Sequence, residues 1–356
     1  FNKFANIKYL AQGCFGTVFK AVWTDGYITG WDYKNDKLMR KPQIEVCLKS
    51  LNNSKDINQE FLKEVKNQHK SGGNSAIAIY GITKNPKDDN YMMVMHYAKQ
   101  RSLRKLLNNK YNELNWTSKI IILNNIADSL NTIHQAKLVH KNFHPGNIVN
   151  ENIYMSYITD VGLCKPVSRD SSSDEIYGIL PYIDPIVLCR RGNAYIEKSD
   201  IYSFGVIMSE IFTGYPPYYD IPHDDTLATS ICLGLRPRII CKVPQLLLDL
   251  MSKCLDAESQ NRPTADKIAN TLNRFYKDLN NEKTELCNQI KQIENSSKNF
   301  STFNQMKSER LYYQTDPKAI YTSRLLHFPT LPKQVDKPIN AGKNIVKKYN
   351  ELKLKK

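Results

Sequence analysis

The first hundred residues alternate between apolar and polar positions in a way that predicts short strands. Residues 7–23, with the sequence IKYLAQGCFGTVFKAVW, show this alternation on both sides of a glycine-containing turn, which predicts a β-hairpin. A polar stretch follows over residues 24–42, and QIEVCLKSL at 43–51 predicts the next strand. The segments 75–84 and 91–98 complete a predicted small sheet.

One helix is predicted inside this β-rich region. Residues 56–70, DINQEFLKEVKNQHK, begin with Asp56, a residue type that favours the N-cap position. Phe61, Leu62 and Val65 follow at helical spacing. The segment is therefore better interpreted as a helix than as another strand.

Helical periodicity dominates after residue 98. The segment 116–137 predicts an amphipathic helix. Its apolar face comprises Ile120, Leu123, Ile126, Ala127, Leu130 and Ile133. Residues 199–214 are apolar on nearly all sides, as expected for a helix buried inside a large domain. Two further amphipathic helices are predicted over residues 243–256 and 264–276.

The composition is that of an ordinary globular protein. The 356 residues are 41% hydrophobic and 24% charged, and no apolar run approaches the roughly 18 residues that a membrane span needs. The chain lacks an initial Met and a signal-peptide core, so we expect a fragment or a processed chain that is not secreted. Its 8 cysteines form neither a C-x-x-C pair nor a zinc-spaced cluster, which is typical of reduced thiols in a cytoplasmic or nuclear protein.

Positive charge is concentrated near the C-terminus. The net charge is +15, and residues 281–356 contribute 15 Lys and Arg against 7 Asp and Glu, a net of +8. Because this region is also rich in Asn, Lys and Ser, we expect residues 280–356 to form a weakly ordered basic extension. Such a tail can attract an acidic partner, an anionic lipid surface or nucleic acid, whereas a solvated tail is the simpler interpretation. Nucleic-acid binding is disfavoured because the basic residues show no aromatic interleaving or recognised motif.

Four short motifs occur in order along the chain. They are LAQGCFGTV at 10–18, VCLK at 46–49, LVHKNFHPGNIV at 138–149 and TDVGL at 159–163. Over about residues 8–275 this set resembles the protein kinase superfamily, most of all its tyrosine-kinase-like branch, including an expanded fungal group.

The resemblance implies an α+β, two-lobed protein-kinase-like fold. Residues 1–95 would form a small β-rich N-lobe with one helix, and residues 96–279 would form a larger helical C-lobe. ATP and Mg²⁺ are the implied cofactors, and the implied partner is a protein substrate or a signalling protein. The implied reaction is transfer of phosphate from ATP to Ser, Thr or Tyr of a protein.

Several residues match the family's glycine-rich loop. Gly13 and Gly16 would let backbone N–H groups approach the phosphates, although Ala11 replaces the first glycine of the motif. Leu10 and Val18 would lie against the adenine. A bare hairpin explains this turn equally well when the motif is taken alone.

The resemblance assigns further ATP-binding residues. Lys49 would pair with the α- and β-phosphates, and Glu64 on the following helix would hold that lysine. Met95 resembles the gatekeeper at the hinge between the lobes. Backbone groups of His96 and Ala98 would hydrogen-bond the adenine.

Asn147 and Asp160 resemble the family's metal ligands. Amide and carboxylate oxygens are hard ligands that suit Mg²⁺ bridging phosphates. Val149 would form the floor beneath the adenine. In structural roles, His140 would belong to the catalytic loop and Asp200 would brace that loop.

Arg262 matches an arginine that pairs with a glutamate in the family. Here Ile186 stands in place of that glutamate, so Arg262 must find another acceptor or stay exposed. An unpaired buried guanidinium would be costly. Asp184 is a candidate acceptor.

The catalytic aspartate of the family is replaced by Asn142. An amide cannot act as a general base near neutral pH, and a general base contributes about 10²–10⁴-fold to the rate. Positioning and electrostatic groups remain, so we expect a pseudokinase or a slow kinase that still binds Mg·ATP. His144 could relay a proton, but it also resembles a trait of the fungal group.

Two other functions remain open. In the first, the chain is a fully active Ser/Thr or Tyr protein kinase. In the second, it is a non-enzymatic interaction scaffold in signal transduction that recruits partners through its basic tail.

Overall fold

A computed structural model provides the three-dimensional structure of the chain. It describes residues 1–13, 16–51, 77–160, 165–166, 176–189, 195–298, 314–328 and 331–332. The predicted helix over residues 56–70 lies outside these ranges, and so does Glu64.

Antiparallel strands from the first hundred residues form the N-lobe. The strands are β1 (Phe4–Gly13), β2 (Gly16–Trp23), β3 (Tyr27–Asp32), β4 (Lys37–Lys41), β5 (Ile44–Leu51), β6 (Ile79–Lys84) and β7 (Tyr91–His96). Within the described residues, one five-stranded sheet has the order β1-β2-β5-β7-β6, and each neighbouring pair is antiparallel. The predicted hairpin and the other predicted strands are confirmed.

The two faces of this sheet bury different side chains. Val46 and Leu48 of β5 belong to an apolar cluster on one face. Cys47 lies between them and packs into a second cluster, which contains Val149 of the C-lobe. Successive side chains of a strand point to opposite faces, so Lys49 also faces the C-lobe.

The polar stretch over residues 24–42 contains a hairpin that its hydrophobic pattern does not predict. Strands β3 and β4 pair antiparallel. Asp32 stabilises the turn between them, because its Oδ1 accepts the backbone N–H groups of Lys34 (3.1 Å) and Asn35 (3.2 Å). Apolar side chains of the hairpin, such as that of Trp31, remain largely exposed. Without a buried face, the sequence carries no clear alternation.

Helices make up most of the C-lobe. They are α1 (Leu103–Lys110), α2 (Trp116–Gln135), α3 (Pro185–Cys189), α4 (Glu197–Thr213), α5 (Asp225–Cys232), α6 (Gln245–Cys254), α7 (Ala265–Asp278) and α8 (Glu285–Lys298). The four helices predicted after residue 98 are confirmed as α2, α4, α6 and α7. Within the described residues, no helix combines the length and the apolar character needed to cross a membrane.

The C-lobe core surrounds α4. All residues of this helix from Ser199 to Thr213 are buried, as its apolar pattern predicts. The apolar face predicted on α2 is buried in the same core. Asn115 caps α2 by accepting the backbone N–H of Ser118 at 2.8 Å. The chain leaves α4 through Gly214, whose φ of +76° suits the left-handed end of a helix.

Short antiparallel strand pairs complete the C-lobe. The strands are β8 (Leu138–Val139), β9 (Ile148–Asn152), β10 (Met155–Ile158), β11 (Lys165–Pro166), β12 (Ile176–Gly178) and β13 (Arg324–Leu326). Strand β9 pairs with β10, β8 with β11, and β12 with β13. The β9–β10 hairpin lies against the N-lobe sheet, because Val149 and Tyr157 pack in one cluster with Met95.

Parts of the C-terminal extension pack against the C-lobe. Helix α8 buries Leu286 and Ile290 in the main core. Farther along, β13 adds a strand to β12, and Leu326 is buried. The boundaries between residues 95 and 96 and between residues 279 and 280 stay predictions.

Arg262 and Asp184 form a buried ion pair between distant parts of the C-lobe. Arg262 Nη1 donates to Asp184 Oδ2 at 2.7 Å, and Nη2 donates to Oδ1 at 3.1 Å. Neither side chain is exposed. Asp184 is therefore the acceptor that Arg262 requires in the absence of a glutamate at position 186.

We expect Asp184→Ala to lower the free energy of unfolding by about 3–5 kcal/mol, because it leaves the Arg262 guanidinium buried without its carboxylate. Urea denaturation followed by far-UV circular dichroism measures this loss. Glu282→Ala removes the carboxylate of an exposed pair with Lys291 and should leave the unfolding midpoint unchanged. Equal midpoints for Asp184→Ala and the parent chain would contradict the expectation.

Candidate active site

Lys49 and Asp160 meet at the junction of the two lobes. Lys49 lies on β5 directly opposite Val18 of β2 and Met93 of β7, and its side chain is buried. Asp160 follows β10, and its Oδ1 forms an ion pair with Lys49 Nζ. Burial by itself would raise the pKa of the Asp160 carboxyl, but the adjacent Lys49 ammonium outweighs it and lowers that pKa. The site therefore holds a carboxylate and an ammonium side by side at neutral pH.

Asn147 lies next to this pair. It directly precedes β9, and Asp160 follows β10, so the antiparallel pairing of these strands places both residues at the same end of one hairpin. Thr159 N–H donates to the Asn147 carbonyl at 2.8 Å, which fixes the two ends together. The Asn147 side-chain amide donates to the Asn142 carbonyl at 2.9 Å. This bond leaves the side-chain oxygen of Asn147 as the atom that can bind a cation.

The chemistry of these side chains fits Mg²⁺. A carboxylate and an amide oxygen are hard ligands, and Mg²⁺ commonly takes one or two protein ligands together with phosphate oxygens and water. Among the described residues, no group of three or more His, Cys, Asp and Glu could hold a metal ion alone. Asn147 and Asp160 supply two hard ligands, the number that Mg²⁺ commonly takes from protein when phosphates supply others.

An apolar cluster adjoins the Lys49–Asp160 pair. Met95, Ala98 and Val149, which the sequence predicts to surround adenine, belong to one cluster with Cys47. The Ala98 carbonyl accepts Arg101 N–H at 3.0 Å, whereas the Ala98 N–H has no acceptor among the described residues. This N–H is the backbone group best suited to bind an adenine nitrogen.

The side chain of His96 is held away from any role in that hydrogen bond. Its Nε2 lies 2.9 Å from Glu151 Oε2, and its Nδ1 lies 3.2 Å from Tyr80 Oη. The backbone N–H of His96 donates to the Ala78 carbonyl at 2.9 Å. If His96 contacts adenine as predicted, it must do so through its carbonyl oxygen.

The glycine-containing turn connects β1 and β2. Gly13 and Gly16 are paired across the β1–β2 hairpin, and the two residues between them lie outside the described ranges. Leu10 lies at a bulge of β1, where the register shifts between Tyr9 and Ala11. The roles predicted for these residues stay predictions.

The catalytic loop is fixed by the buried carboxylate of Asp200. Its Oδ2 accepts the backbone N–H of His140 at 2.8 Å, and its Oδ1 accepts that of Lys141 at 3.1 Å. Lys141 has a φ of +69°, which is costly for a residue other than glycine. The ring of His140 donates through Nε2 to the Thr159 carbonyl at 2.9 Å. Asp200 therefore braces the loop, and His140 ties it to the residue before Asp160.

Asn142 is buried at the centre of this loop. Its backbone N–H donates to His140 Nδ1 at 3.3 Å. Its side-chain Oδ1 accepts a hydrogen bond from the hydroxyl of Ser323, at 3.2 Å. Ser323 belongs to the C-terminal extension, and the sequence offered no signal that placed it here.

The ring of His144 contacts the same hydroxyl. Burial, followed by the nearby His140 and Arg104, lowers the pKa of His144 to about 3, so the ring is neutral at pH 7. Gly146 N–H donates to Nδ1 at 3.0 Å, which places the ring proton on Nε2. His144 Nε2 then donates to Ser323 Oγ at 2.8 Å. In this arrangement His144 is a donor and cannot accept the serine proton.

Comparisons with known proteins match the region that contains the N-lobe sheet and most of the C-lobe helices. A family model described as protein tyrosine and serine/threonine kinase matches residues 4–272. The chain is 26% identical over 77% of its length to a probable serine/threonine-protein kinase of Dictyostelium discoideum. It is 29% identical over 62% of its length to receptor-interacting serine/threonine-protein kinase 4 of Mus musculus. It is 25% identical over 72% of its length to a tyrosine-protein kinase of Girardia tigrina.

These relatives are longer than the matched region. The matches cover 32% of the Dictyostelium protein, 29% of the mouse protein and 50% of the Girardia protein. The chain thus spans half or less of the length of the relatives that it resembles here.

The buried ring of His144 should make the fold sensitive to acid. The unfolded state binds a proton near the ordinary histidine pKa of about 6.5, whereas the folded ring stays neutral until about pH 3. This contribution to stability is present above pH 6.5 and is lost as the pH falls. Between pH 7.5 and 5.5 the loss is about 1 kcal/mol, and His144→Gln should remove that part of the pH dependence.

Urea denaturation at pH 7.5, 6.5 and 5.5 gives the free energy of unfolding at each pH, and the effect is the slope of this free energy against pH. His327→Gln is the matched control, because His327 is exposed and the substitution should leave the slope of the parent chain unchanged. If His144→Gln and the parent chain lose stability with pH at the same rate, the buried neutral ring is not the cause.

Proposed function

Because the chain belongs to the protein tyrosine and serine/threonine kinase family, we propose that it binds Mg·ATP between its lobes and transfers phosphate to proteins slowly or not at all. The proposal places it in signalling, as a pseudokinase or slow kinase.

The ion pair between Lys49 and Asp160 at the junction of the lobes is the observation that carries the nucleotide part of the proposal. Lys49 of the N-lobe forms an ion pair with Asp160 of the C-lobe, and the β9–β10 pairing brings Asn147 to the same end of that hairpin as Asp160. Lys49 would neutralise phosphate oxygens, while Asp160 and Asn147 would hold Mg²⁺. A bound Mg²⁺ would stabilise the negative charge on the transferring phosphate.

The surroundings of Asn142 support the second part of the proposal, which is that phosphate transfer is impaired. A carboxylate at this position accepts the proton of the acceptor hydroxyl in active kinases. The Asn142 amide can accept a hydrogen bond but cannot take the proton near neutral pH. His144 does not replace it, because its Nδ1 is engaged by Gly146 and its Nε2 already carries a proton.

Loss of the base alone does not require complete inactivity. Phosphoryl transfer has a loose transition state, so much of the rate enhancement comes from positioning and charge. Removing a general base lowers rates by about 10²–10⁴-fold. Residual transfer is therefore compatible with the proposal.

We expect Mg·ATP to raise the melting temperature of the parent chain. Ligand at 100 times its dissociation constant stabilises a fold by about 2.7 kcal/mol. Lys49→Ala and Asp160→Ala should abolish the shift, because each removes a group that would contact the phosphates or the metal. Differential scanning fluorimetry with and without Mg·ATP measures it.

Lys84→Ala provides a matched control. Lys84 forms an exposed pair with Asp89 at 3.1 Å, away from the junction of the lobes, so this variant should show the shift of the parent chain. No shift in the parent, at millimolar Mg·ATP, would refute nucleotide binding.

We expect Asn142→Asp to raise the phosphotransfer rate by about 10²–10⁴-fold, because it restores a base at the acceptor hydroxyl. Incorporation of labelled phosphate from ATP into the protein and into a Ser, Thr and Tyr peptide library measures this. The same substitution combined with Lys49→Ala controls for contaminating kinases and should be inactive. Equal and robust rates in the parent and in Asn142→Asp would favour the fully active alternative.

A further inference from the structure

Ser323 occupies the position at which a kinase receives an acceptor hydroxyl. Its Oγ donates to Asn142 Oδ1 at 3.2 Å and accepts from His144 Nε2 at 2.8 Å. Asn142 stands at the position of the base that faces the substrate hydroxyl in active kinases. A serine of the chain itself therefore makes the contact that a substrate serine would make.

The backbone that follows Ser323 forms an additional strand beside β12. Strand β13 pairs antiparallel with β12, in the register Gly178 with Arg324, Tyr177 with Leu325 and Ile176 with Leu326. An extended peptide that extends an exposed strand gains affinity from main-chain hydrogen bonds. Gly178, which pairs with Arg324, has a φ of +153° that residues with side chains rarely adopt, and a Cβ there would lie 2.7 Å from Ile183 Cδ1.

An apolar site receives the residue three positions after Ser323. Leu326 is 6% exposed and packs in a cluster with Ile176, Leu180, Val187 and Leu188. Its neighbour Leu325 is 49% exposed. Successive residues of β13 therefore differ sharply in burial, as expected of a strand bound in a groove with one specificity site.

The residue two positions before Ser323 is also held by specific contacts. The Arg104 guanidinium lies 4.7 Å from the ring centroid of Tyr321. Arg104 Nη1 lies 2.9 Å from Glu210 Oε1, so the Glu210 carboxylate balances the charge of the guanidinium. The Tyr321 hydroxyl donates to the Pro217 carbonyl at 2.7 Å, and its ring meets His223 edge to face.

Additional bonds fix the segment on both sides of Ser323. His223 N–H donates to the Lys318 carbonyl at 3.0 Å. Arg324 Nη2 donates to the His223 carbonyl at 2.9 Å. Asp316 N–H donates to the Tyr219 carbonyl at 2.8 Å. The segment 314–328 is thus anchored over its length rather than at one point.

We propose that the groove formed by β12, Asn142, His144 and His223 is a peptide-binding site, and that residues 314–328 occupy it in cis as a substrate-like ligand. We call it the acceptor groove. The proposal rests on the proposed function in one respect, which is that the groove is the acceptor site of a kinase domain. Peptide binding itself requires neither ATP nor phosphate transfer.

The contacts define the class of ligand. It is an extended peptide with a hydroxyl residue at the centre, an aromatic residue two positions earlier, arginine immediately after and leucine three positions later. A non-aromatic residue two positions before the hydroxyl would be disfavoured, since it would lose the contact of the Tyr321 ring with the Arg104 guanidinium.

Occupation in cis has a direct consequence for other proteins. Asn142 Oδ1 and His144 Nε2 both bond to Ser323, and β12 is paired with β13. An incoming substrate needs the same atoms and the same strand edge. It can bind only when residues 314–328 have left the acceptor groove.

Competition in the full chain tests the proposal. The probe is a fluorescein-labelled peptide that reproduces residues 316–328, and its binding is followed by fluorescence anisotropy. Leu326→Asp in the protein places a charge in the apolar site and should release the segment in cis. This variant should bind the probe at least about tenfold more tightly than the parent chain does, since burying one leucine is worth about 1.5–3 kcal/mol.

Leu325→Asp is the matched control in the protein. It introduces the same charge one residue earlier, at an exposed position of the same strand, and should exclude the probe as the parent does. A probe that itself carries Leu326→Asp should not bind the Leu326→Asp protein. Tyr321→Ala in the protein is a second way to release the segment and should also increase probe binding.

Two results would overturn the proposal. The first is equal binding of the probe by the parent, Leu325→Asp and Leu326→Asp chains, because the segment would then not compete for the groove. The second is the absence of binding to both Leu326→Asp and Tyr321→Ala chains whose circular dichroism matches that of the parent. The segment would then be a fixed part of the fold.

The test is independent of nucleotide binding. A parent chain that shows no thermal shift with Mg·ATP but shows the expected probe competition would refute the proposed function and leave the peptide site standing. The reverse pattern would refute the peptide site alone.

Discussion

The carboxylate of Asp200 holds the catalytic loop by accepting two successive backbone N–H groups, those of His140 and Lys141. It also lies 2.9 Å from His134 Nε2, so it is bonded from α2 as well. These bonds stabilise a left-handed conformation at Lys141 that would otherwise be unfavourable. This turn positions Asn142 and His144. It also positions Asn147, whose side-chain amide donates to the Asn142 carbonyl. The proposed cation ligands, the proposed acceptor position and the observed contact with Ser323 all depend on this one buried carboxylate.

Periodicity and burial explain why much of the fold was predictable from sequence. Helix α4 is buried on all sides, and the uninterrupted apolar pattern of residues 199–214 predicted this directly. The Arg262–Asp184 pair was predictable in part, because desolvation requires an acceptor for a buried guanidinium. The ion pair between Lys49 and Asp160 could not be predicted from periodicity or burial. The two are 111 residues apart, so only the ordered motifs indicated that they converge.

The features that sequence reasoning missed are those created by contacts between distant segments. The β3–β4 hairpin has exposed apolar side chains, so no buried face produced an alternating pattern. Residues 314–328 lack periodicity and lie in a polar, basic region, which favoured an interpretation as weakly ordered. Their order comes from single contacts such as Leu326 with the cluster below β12 and Tyr321 with Arg104. No local propensity encodes such contacts.

Covalent attachment gives the β12–β13 pairing a property that a separate peptide lacks. A tethered segment meets its site at an effective local concentration on the order of millimolar, whatever the amount of protein in the cell. If residues 314–328 occupy the groove as proposed, dilution does not empty it. A free competitor displaces the segment only when its concentration, multiplied by its affinity relative to that of the segment, reaches the effective local concentration. A protein that also binds the chain at a second site would itself have a high effective concentration at the groove. We therefore expect proteins that bind at two sites to displace the segment more readily than single-site peptides do.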